Sequence, residues 1–221
     1  MKENYKLHYA PDNASMIVRI ALEMIGEPYD LELVDRRQSQ QRSTKYLSLN
    51  PLGMIPALQT HDGVLFETGA ILLWLADRHG GVFPAQNDVA RADGLKWLFF
   101  LSNSLHANLR QMFYPEKFIA PEHADALRNG LAQRITSCVV FDDSAPSILD
   151  IYVCACLRWA QLYPSAYSKD WVEVQHYPNL LSLAKRLHAH PAVKVVQREE
   201  GLGPTPFTQP TYANPMIGSA T

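Results

Sequence analysis

The sequence predicts an α/β region at the N-terminus, followed by a region made only of helices. Residues 1–80 alternate between strand and helix patterns in the order β-α-β-α-β-β-α, whereas residues 91–202 carry helical patterns throughout. Residues 81–90 are rich in turn-forming residues and predict a linker between the two regions. Residues 203–221 contain four prolines and no apolar periodicity, so they predict a tail that is either disordered or laid over the surface.

Within the first region, each element has a local signal. A helical pattern opens at Ser15, which we expect to be its N-cap, and stops at Gly26. Two short apolar strands flank an Asp-Gly turn at Asp62 and therefore predict a β-hairpin. The next helix begins at Thr68, a favourable N-cap residue, and ends at a Gly-Gly pair. These signals together predict a small mixed sheet with helices on its faces.

Composition and charge exclude several classes of function. The formal net charge is −2 and no basic block is present, so neither nucleic acid nor an anionic membrane is an expected partner. The apolar runs are too short to span a bilayer, and the N-terminus lacks the apolar core of a signal peptide. The three cysteines, Cys138, Cys154 and Cys156, have no zinc-ligand spacing. We therefore expect free thiols, no metal and a location in the reducing cytoplasm.

The segment NPLGMIPAL, residues 50–58, conflicts with a simple strand. The apolar residues around Pro56 predict the start of a buried strand, yet proline has no backbone N–H to donate to a sheet. Pro56 therefore indicates a sheet edge, a turn or a special peptide bond. The residues of the segment alone leave these three alternatives open.

Four motifs, in the right order, resemble those of cytosolic glutathione S-transferases, and the resemblance covers about residues 4–202. The motifs are NPLGMIPAL, FETGAILLWLAD, SILDIYVCACLRWA and LHAHPAVKVVQREEGL. The last is similar to the C-terminal signature of bacterial beta-class members. The resemblance implies a thioredoxin-like, glutathione-binding domain at residues 1–80. It also implies an all-helical domain at residues 91–202 that holds the pocket for a second substrate.

The resemblance further implies how glutathione is bound as a co-substrate. In this family the proline of the MIPAL motif follows a cis peptide bond, which turns the backbone of Ile55 toward an extended peptide ligand. Ile55 would then pair with the cysteinyl unit of glutathione beside Pro56. The free N–H groups at the helix start of Thr68 suit the γ-glutamyl carboxylate, and Glu67 suits its ammonium group.

The residue that ionises the glutathione thiol stays open among three candidates around the turn after the first strand. A free thiol has a pKa of roughly 8.5, so activation needs a donor that stabilises the thiolate. Ser15 is the first candidate, as a hydroxyl at a helix start, followed by the amide of Asn13 and the phenol of Tyr9. Beta-class relatives carry cysteine where this chain has Ala14, which argues against a mixed disulfide with glutathione.

The pocket for the second substrate is expected between the domains, along the long helix that begins near Ala90. His106 and Phe113 share a mixed polar and aromatic face of that helix. His106 also lies in a segment similar to the one that lends a histidine to the beta-class cleft. Ser147 and Asp150 instead have the spacing of a capping box, so we expect Asp150 to be structural.

Three hypotheses for the function follow. The leading one is a glutathione S-transferase, expected to be a homodimer, that adds the glutathione thiolate to an apolar, electrophilic small molecule. The same fold also serves as a binding module with little catalysis, as in stringent-starvation regulators and elongation-factor gamma subunits. A third hypothesis keeps glutathione but changes the reaction to peroxide reduction or to ether or halide cleavage.

Overall fold

The structure is a computed structural model that describes residues 4–136, 146–165 and 171–219, so Cys138 lies outside the described residues. The N-terminal part contains a four-stranded sheet with the order β2-β1-β3-β4. Its strands are β1 Tyr5–Tyr9, β2 Tyr29–Leu33, β3 Ala57–Thr60 and β4 Gly63–Phe66. β2 is parallel to β1, whereas β3 is antiparallel to both β1 and β4.

Nine α-helices occur in the described part of the chain. In the N-terminal part they are α1 Ser15–Ile25, α2 Thr44–Leu47 and α3 Thr68–His79. The C-terminal part holds α4 Arg91–Phe100, α5 Ala107–Phe113, α6 Ala124–Thr136, α7 Ile148–Leu162, α8 Pro178–Ala189 and α9 Pro191–Glu199. A π-helical stretch, Leu101–His106, joins α4 to α5. This architecture confirms the predicted thioredoxin-like domain followed by an all-helical domain.

The alternation of side chains along β1 explains why the sheet is covered on both faces. Tyr5, Leu7 and Tyr9 pack against apolar residues of α1 and α3. His8 points to the opposite face, where its ring contacts the ring of Tyr46 in α2. The central strand is therefore buried between helices, and its C-terminal end leads into the turn that precedes α1.

Helix α1 joins the two domains because both of its faces are apolar. Val18 and Leu22 pack against the sheet, whereas Met16 and Ile20 belong to the large core that includes α7. Every residue of the first two turns of α1 is buried. The turn before α1 consequently lies at the junction of the two domains, where groups from both domains can meet.

The predicted N-cap positions of α1 and α3 were wrong by one residue. Ala14 and Glu67 occupy the cap positions, and neither side chain forms a capping hydrogen bond. Ser15 and Thr68 are instead the first helical residues. A hydroxyl residue at a helix start indicates the terminus well, but its side chain is free to bond elsewhere when a tertiary partner is closer.

Helix α7 is the buried central helix of the second domain. Ser147 is its N-cap and forms a capping box with Asp150, which confirms the structural role predicted for that carboxylate. Burial raises the pKa of the Asp150 carboxyl. Cys154 and Cys156 are free thiols within the core, and burial raises the pKa of both.

Candidate active site

A cavity of about 1140 Å³ lies between the two domains, and most of the predicted site residues line it. Its first wall comes from the N-terminal domain: the turn before α1, the segment from Arg36 to Pro56, and the start of α3. Its second wall comes from the π-helical stretch, α5 and α7. Residues of the C-terminal tail line the remaining side.

The segment that ends in Ile55 and Pro56 lies in the first wall. The peptide bond between these two residues is cis, so the proline does mark a special peptide bond. The Tyr46 hydroxyl and the Asn50 side-chain amide each donate a hydrogen bond of 2.7 Å to the Met54 carbonyl and thereby hold the segment. Neither the backbone N–H nor the C=O of Ile55 has a hydrogen-bond partner among the described residues. Both groups are therefore available to a ligand.

The start of α3 lies in the same wall. Glu67 has a φ of 69° and a ψ of 115°, a backbone conformation that is uncommon for a residue with a side chain. Its carbonyl accepts the first helical hydrogen bond, from the N–H of Ile71 at 3.0 Å. Thr68 is buried, and both it and Glu67 line the cavity. Because the first N–H groups of a helix have no intrahelical partner, this terminus provides a site for an anion.

Of the three candidate thiol activators, Asn13 lines the cavity. Its side-chain oxygen Oδ1 is buried and has no hydrogen-bond partner in the described part of the chain. Its backbone carbonyl accepts from the N–H of Met16 at 2.8 Å, which holds the residue at the start of α1. The amide can present either its oxygen or its NH₂ group to a ligand.

Ser15 and Tyr9 do not line the cavity, contrary to the sequence-based expectation. Ser15 is fully buried, and its hydroxyl donates to the Ala10 carbonyl at 3.0 Å and accepts from the Ala10 N–H at 3.2 Å. Tyr9, the last residue of β1, is buried in the core between the sheet and helices α1 and α3. The Arg19 guanidinium lies 5.7 Å from its ring centroid, and burial raises the pKa of its phenol. The pattern of the sequence placed both residues near the right turn but could not give the direction of their side chains.

Asp12 is held by a buried network that sequence reasoning missed. Arg158 in α7 donates two hydrogen bonds to its carboxylate, at 2.8 and 2.9 Å, and both side chains are completely buried. The indole N–H of Trp159 donates to the same carboxylate at 3.0 Å, and the hydroxyl of Tyr163 donates to it at 3.4 Å. The signal available in the sequence was an arginine within the apolar pattern of α7, since a buried charge requires a partner.

The same turn is also tied to the end of α9. The backbone N–H of Asp12 donates to Glu200 Oε2 at 2.9 Å, and Arg19 of α1 donates to Glu200 Oε1 at 3.4 Å. Burial raises the pKa of the Glu200 carboxyl to about 7, and the Arg19 charge opposes that shift. The position of the turn therefore depends on groups from α1, α7 and the segment after α9.

The tail is laid over the cleft and is held by the arginine that binds Asp12. Arg158 donates hydrogen bonds to the backbone carbonyls of Leu202 at 3.0 Å, Pro206 at 3.2 Å and Thr211 at 2.9 Å. One buried guanidinium thus binds both the turn before α1 and the first half of the tail. Of the two alternatives that the sequence left open for the tail, the structure has it on the surface.

Further contacts bring the second half of the tail to the cavity. The Tyr212 hydroxyl donates to the Leu162 carbonyl at 2.9 Å, and the Asn214 N–H donates to the Gly201 carbonyl at 2.9 Å. Gly201 has a φ of +64°, and a Cβ there would lie 2.2 Å from the Asn214 carbonyl oxygen, so a side chain cannot be accommodated. The tail residues that line the cavity are Tyr212, Ala213, Asn214, Pro215, Met216, Gly218 and Ser219.

The second wall contains both residues that were predicted to contact a second substrate. His106 Nδ1 is 3.0 Å from the Tyr152 hydroxyl, and its ring centroid is 5.3 Å from that of Trp159. Burial lowers the pKa of His106 to about 4, with a smaller contribution from a nearby arginine, so its imidazole is neutral at physiological pH. Phe113 lines the cavity and packs edge-on against Tyr163, with the ring centroids 5.9 Å apart.

The cavity is more basic than the chain as a whole. Its cationic lining residues in the described part of the chain are Arg36, Arg37, Arg42, Arg110 and Lys117. The carboxylates that line it are those of Glu67 and of Asp12, and the latter is engaged by Arg158. Arg36 donates to the Tyr114 hydroxyl at 3.2 Å, which connects the basic segment after β2 with the helical wall. Sequence reasoning missed this clustering because the cations come from two distant segments.

Two properties of the described residues limit the class of site. They contain no group of three or more His, Cys, Asp or Glu side chains arranged to hold a metal ion. None of the helices described combines the length and the apolar character needed to cross a membrane.

Comparison with known proteins identifies relatives along most of the chain. The glutathione S-transferase N-terminal domain family matches residues 3–77. Glutathione S-transferase GstA of Escherichia coli O157:H7 is 26% identical over 208 residues, which cover 89% of this chain and 99% of that protein. The disulfide-bond oxidoreductase YfcG of Escherichia coli strain K12 is 28% identical over 204 residues, which cover 84% of this chain and 91% of that protein.

Solved structures show the same similarity in three dimensions. A sphingomonad glutathione S-transferase complexed with glutathione is 27% identical, with a TM-score of 0.73 over 90% of this chain and 100% of that chain. A glutathione transferase of Burkholderia graminis, with two glutathione molecules bound per subunit, is 29% identical, with a TM-score of 0.70 over 88% and 87% of the respective chains. With the sheet topology, the cis Ile55–Pro56 bond and the all-helical second domain, these relationships show that the chain is similar to glutathione S-transferases along most of its length, and that its residues 3–77 match their N-terminal domain.

Proposed function

We propose that the protein is a glutathione transferase that binds glutathione in this cavity, ionises its thiol and transfers the sulfur to an electrophilic small molecule. One observation carries the proposal. The unpaired backbone groups of Ile55, the free start of α3 and the side chain of Asn13 come from separate segments but line one wall. Two of the solved relatives are described with glutathione bound, which supports glutathione as the ligand.

Glutathione fits this wall as an extended tripeptide. The N–H and C=O of Ile55 bind the main chain of its cysteinyl unit as a short bridge. The N–H groups at Thr68 bind the γ-glutamyl carboxylate, and the Glu67 carboxylate binds the neighbouring ammonium group. The glycyl carboxylate then lies at the other end of the peptide, toward the basic segment that contains Arg37 and Arg42.

Asn13 is the proposed activator of the thiol, in place of Ser15. Its amide NH₂, together with the free N–H groups at the start of α1, stabilises the thiolate, and the thiol proton passes to water. The sulfur then forms a bond to the electrophilic carbon. In a substitution the leaving group departs with its electron pair, and in an addition the neighbouring carbon takes a proton from water. Ser15 positions this turn through its two hydrogen bonds to Ala10.

The second substrate is proposed to contact His106 and Phe113. The neutral imidazole of His106 offers a hydrogen bond rather than a charge, and Phe113 offers an aromatic surface. The relatives that are named glutathione transferases favour an enzyme over a binding module with little catalysis.

The test is an ultraviolet titration of the glutathione thiolate, free and bound to the protein. We expect the bound thiol to have a pKa clearly below its free value of about 8.5. The Asn13→Ala variant should raise that pKa toward the free value. Asn179→Ala, an exposed asparagine in α8, is the matched control and should leave it unchanged.

The titration separates the parts of the proposal. If Ser15→Ala, rather than Asn13→Ala, restores the free pKa, the assignment of the activator to Asn13 fails while the transferase reaction stands. If glutathione gives no saturable signal at millimolar concentration, the transferase proposal itself fails. Calorimetric titration with glutathione at the same concentrations provides an independent measure of binding.

We also propose a homodimer that works in the reducing cytoplasm. Each domain exposes apolar side chains on its surface: Leu52 is 50% and Val64 37% exposed in the first, and Phe99 is 57% exposed in the second. Packing of each N-terminal domain against the helical domain of a second copy would bury them. Sedimentation velocity should give a mass near twice 24.9 kDa, and a monomer at micromolar concentration would contradict the dimer. The free, buried Cys154 and Cys156 agree with a reducing compartment.

A further inference from the structure

The helical wall of the cavity contains two cations that glutathione does not need. Arg110 and Tyr114 are one turn apart, since the Tyr114 N–H donates to the Arg110 carbonyl at 3.1 Å. The Lys117 ammonium lies 4.1 Å from the ring centroid of Tyr114, and the Arg110 guanidinium lies 5.7 Å from that of Phe118. These cation–π contacts hold both charges beside aromatic surface at the cavity wall.

No described carboxylate is close enough to Arg110 or Lys117 to form an ion pair. Asp12 forms its ion pair with Arg158, and Glu67 lies on the opposite wall, where it is the proposed partner of the glutathione ammonium group. Among the described residues, Arg110 and Lys117 therefore have no acidic partner on their own wall of the cavity. An uncompensated pair of this kind attracts an anion.

The position of the cations relates them to the second substrate. Arg110 follows His106 by one turn and precedes Phe113 by three residues, so all three lie on the helical wall of the cavity. If an aromatic acceptor packs against Phe113 and Tyr114, an acidic group on that acceptor therefore lies within reach of Arg110 and Lys117. Arg36, which donates to the Tyr114 hydroxyl, adds a third positive charge from the facing segment.

We propose that the second substrate is an anionic electrophile: an aromatic or unsaturated carbon skeleton that carries a carboxylate, bound by Arg110 and Lys117. This inference rests on the proposed glutathione transferase function and names the class of its acceptor. The apolar skeleton contacts the aromatic residues, and the carboxylate pairs with the two cations. Two partly exposed ion pairs together favour the anion over a neutral analogue by about tenfold.

The test compares two electrophiles that differ in one ring substituent, the anionic 4-chloro-3-nitrobenzoate and the neutral 4-chloro-3-nitrobenzamide. In both, the glutathione sulfur forms a bond to the ring carbon, chloride leaves with the bonding electrons, and the thiol proton passes to the buffer. Each kcat/KM is divided by the rate constant of the uncatalysed reaction with glutathione, which removes the difference in intrinsic reactivity. The normalised ratio should favour the benzoate by about tenfold at low salt and fall as the ionic strength rises.

The charge variants locate the effect. In Arg110→Gln/Lys117→Gln, the normalised ratio should fall toward one. The matched control Arg198→Gln/Lys185→Gln removes the same charges from exposed positions outside the cavity and should keep the ratio of the wild type. Because the substrate comparison itself uses the unmodified chain, it decides the proposal even where a variant fails to fold.

Each outcome has a defined meaning. A ratio near one in the wild type, with glutathione binding intact by thiolate titration, overturns the anionic acceptor but leaves the transferase function standing. Loss of glutathione binding in the same titration overturns the transferase function itself. Calorimetry that finds two glutathione molecules per chain, with the second lost in Arg110→Gln/Lys117→Gln, overturns the proposal by assigning these cations to a second glutathione.

Discussion

The two walls of the cavity are built on different principles. On the N-terminal wall, the groups proposed to bind the glutathione main chain and its γ-glutamyl carboxylate are backbone groups: the free N–H and C=O of Ile55 and the first turn of α3, each within a short segment. The helical wall and the tail offer side chains, among them His106, Phe113 and Arg110. A site made of backbone groups suits a ligand that is always the same. A wall made of side chains can be altered by substitution, without disturbing the fold, to suit different ligands.

The walls meet at one buried ion pair. Arg158 of the helical domain binds Asp12, the residue before the proposed thiol activator, and also binds the carbonyl of Leu202 and two carbonyls of the tail. Arg158 thus connects the wall proposed to bind glutathione with the wall proposed to bind the acceptor. Three predictions test how far the two regions depend on each other, in order of expected effect.

The largest effect is expected from Arg158→Met, which removes the junction. The substitution leaves the buried Asp12 carboxylate without its charged partner and the buried carbonyls of Leu202 and Pro206 without their donor, so the free energy of unfolding should fall by about 3–5 kcal/mol. Urea denaturation measures the change. Arg198→Met, whose side chain is 77% exposed, is the matched control and should stay within about 0.5 kcal/mol of the wild type. A loss below about 1 kcal/mol for Arg158→Met would show that the two walls are held together by other contacts.

The second prediction concerns the pH dependence of stability through Glu200. Its pKa is raised to about 7 in the folded protein by burial, so the folded state binds more protons than the unfolded state between about pH 4.5 and 7. The contribution of Glu200 to stability is therefore fully present below that window and is lost as the pH rises through it. The loss amounts to at most about 1.4 kcal/mol for each pH unit.

Comparison with Glu200→Gln isolates this contribution, because the amide does not titrate. The free energy of unfolding of the wild type minus that of the variant should decrease from pH 5 to pH 7.5 in urea denaturation series. Glu173→Gln, an exposed acid, serves as the control and should give a nearly constant difference. A difference that increases with pH would mean that the charge of Arg19, rather than burial, determines the pKa of the Glu200 carboxyl.

The smallest effect is expected at the N-terminal wall itself. Glu67→Gln removes the proposed partner of the glutathione ammonium group, and because Glu67 is exposed to solvent the affinity should fall by only about tenfold, or roughly 1.4 kcal/mol. Calorimetric titration with glutathione checks the value. The stability of the variant should match that of the wild type, since the Glu67 side chain forms no cap hydrogen bond. An unchanged affinity would remove Glu67 from the site.

Prediction from sequence succeeded where the signal was local. The order of strands and helices along the first domain, the hairpin after Pro56 and the boundary near Thr68 all depend on patterns within ten or so residues, and the capping box at Ser147 depends on four. The activator was harder to identify, because Ser15, Asn13 and Tyr9 lie within one short segment. Which of their side chains faces the cavity depends on the packing of α1 between two domains.

Distance along the chain explains what the sequence did not reveal. Asp12 and Arg158 are separated by 146 residues, and Arg36 and Tyr114 by 78. The proline-rich tail carried no periodicity, yet carbonyl groups within it meet a buried guanidinium whose position only the folded helical domain defines. No window of sequence contains both members of such pairs, so the charge of the cavity could not be predicted from the net charge of the chain.

The sequence by itself determined the fold class, the position of the segment around Pro56 and the helix start near Thr68, because these features depend on neighbouring residues. Only the tertiary structure decided that Asn13 rather than Ser15 lines the cavity, that the tail lies over it, and that cationic side chains from both walls line it. Those features depend on which side chains the packing of α1, α7 and the tail brings together, and packing is a property of the whole chain.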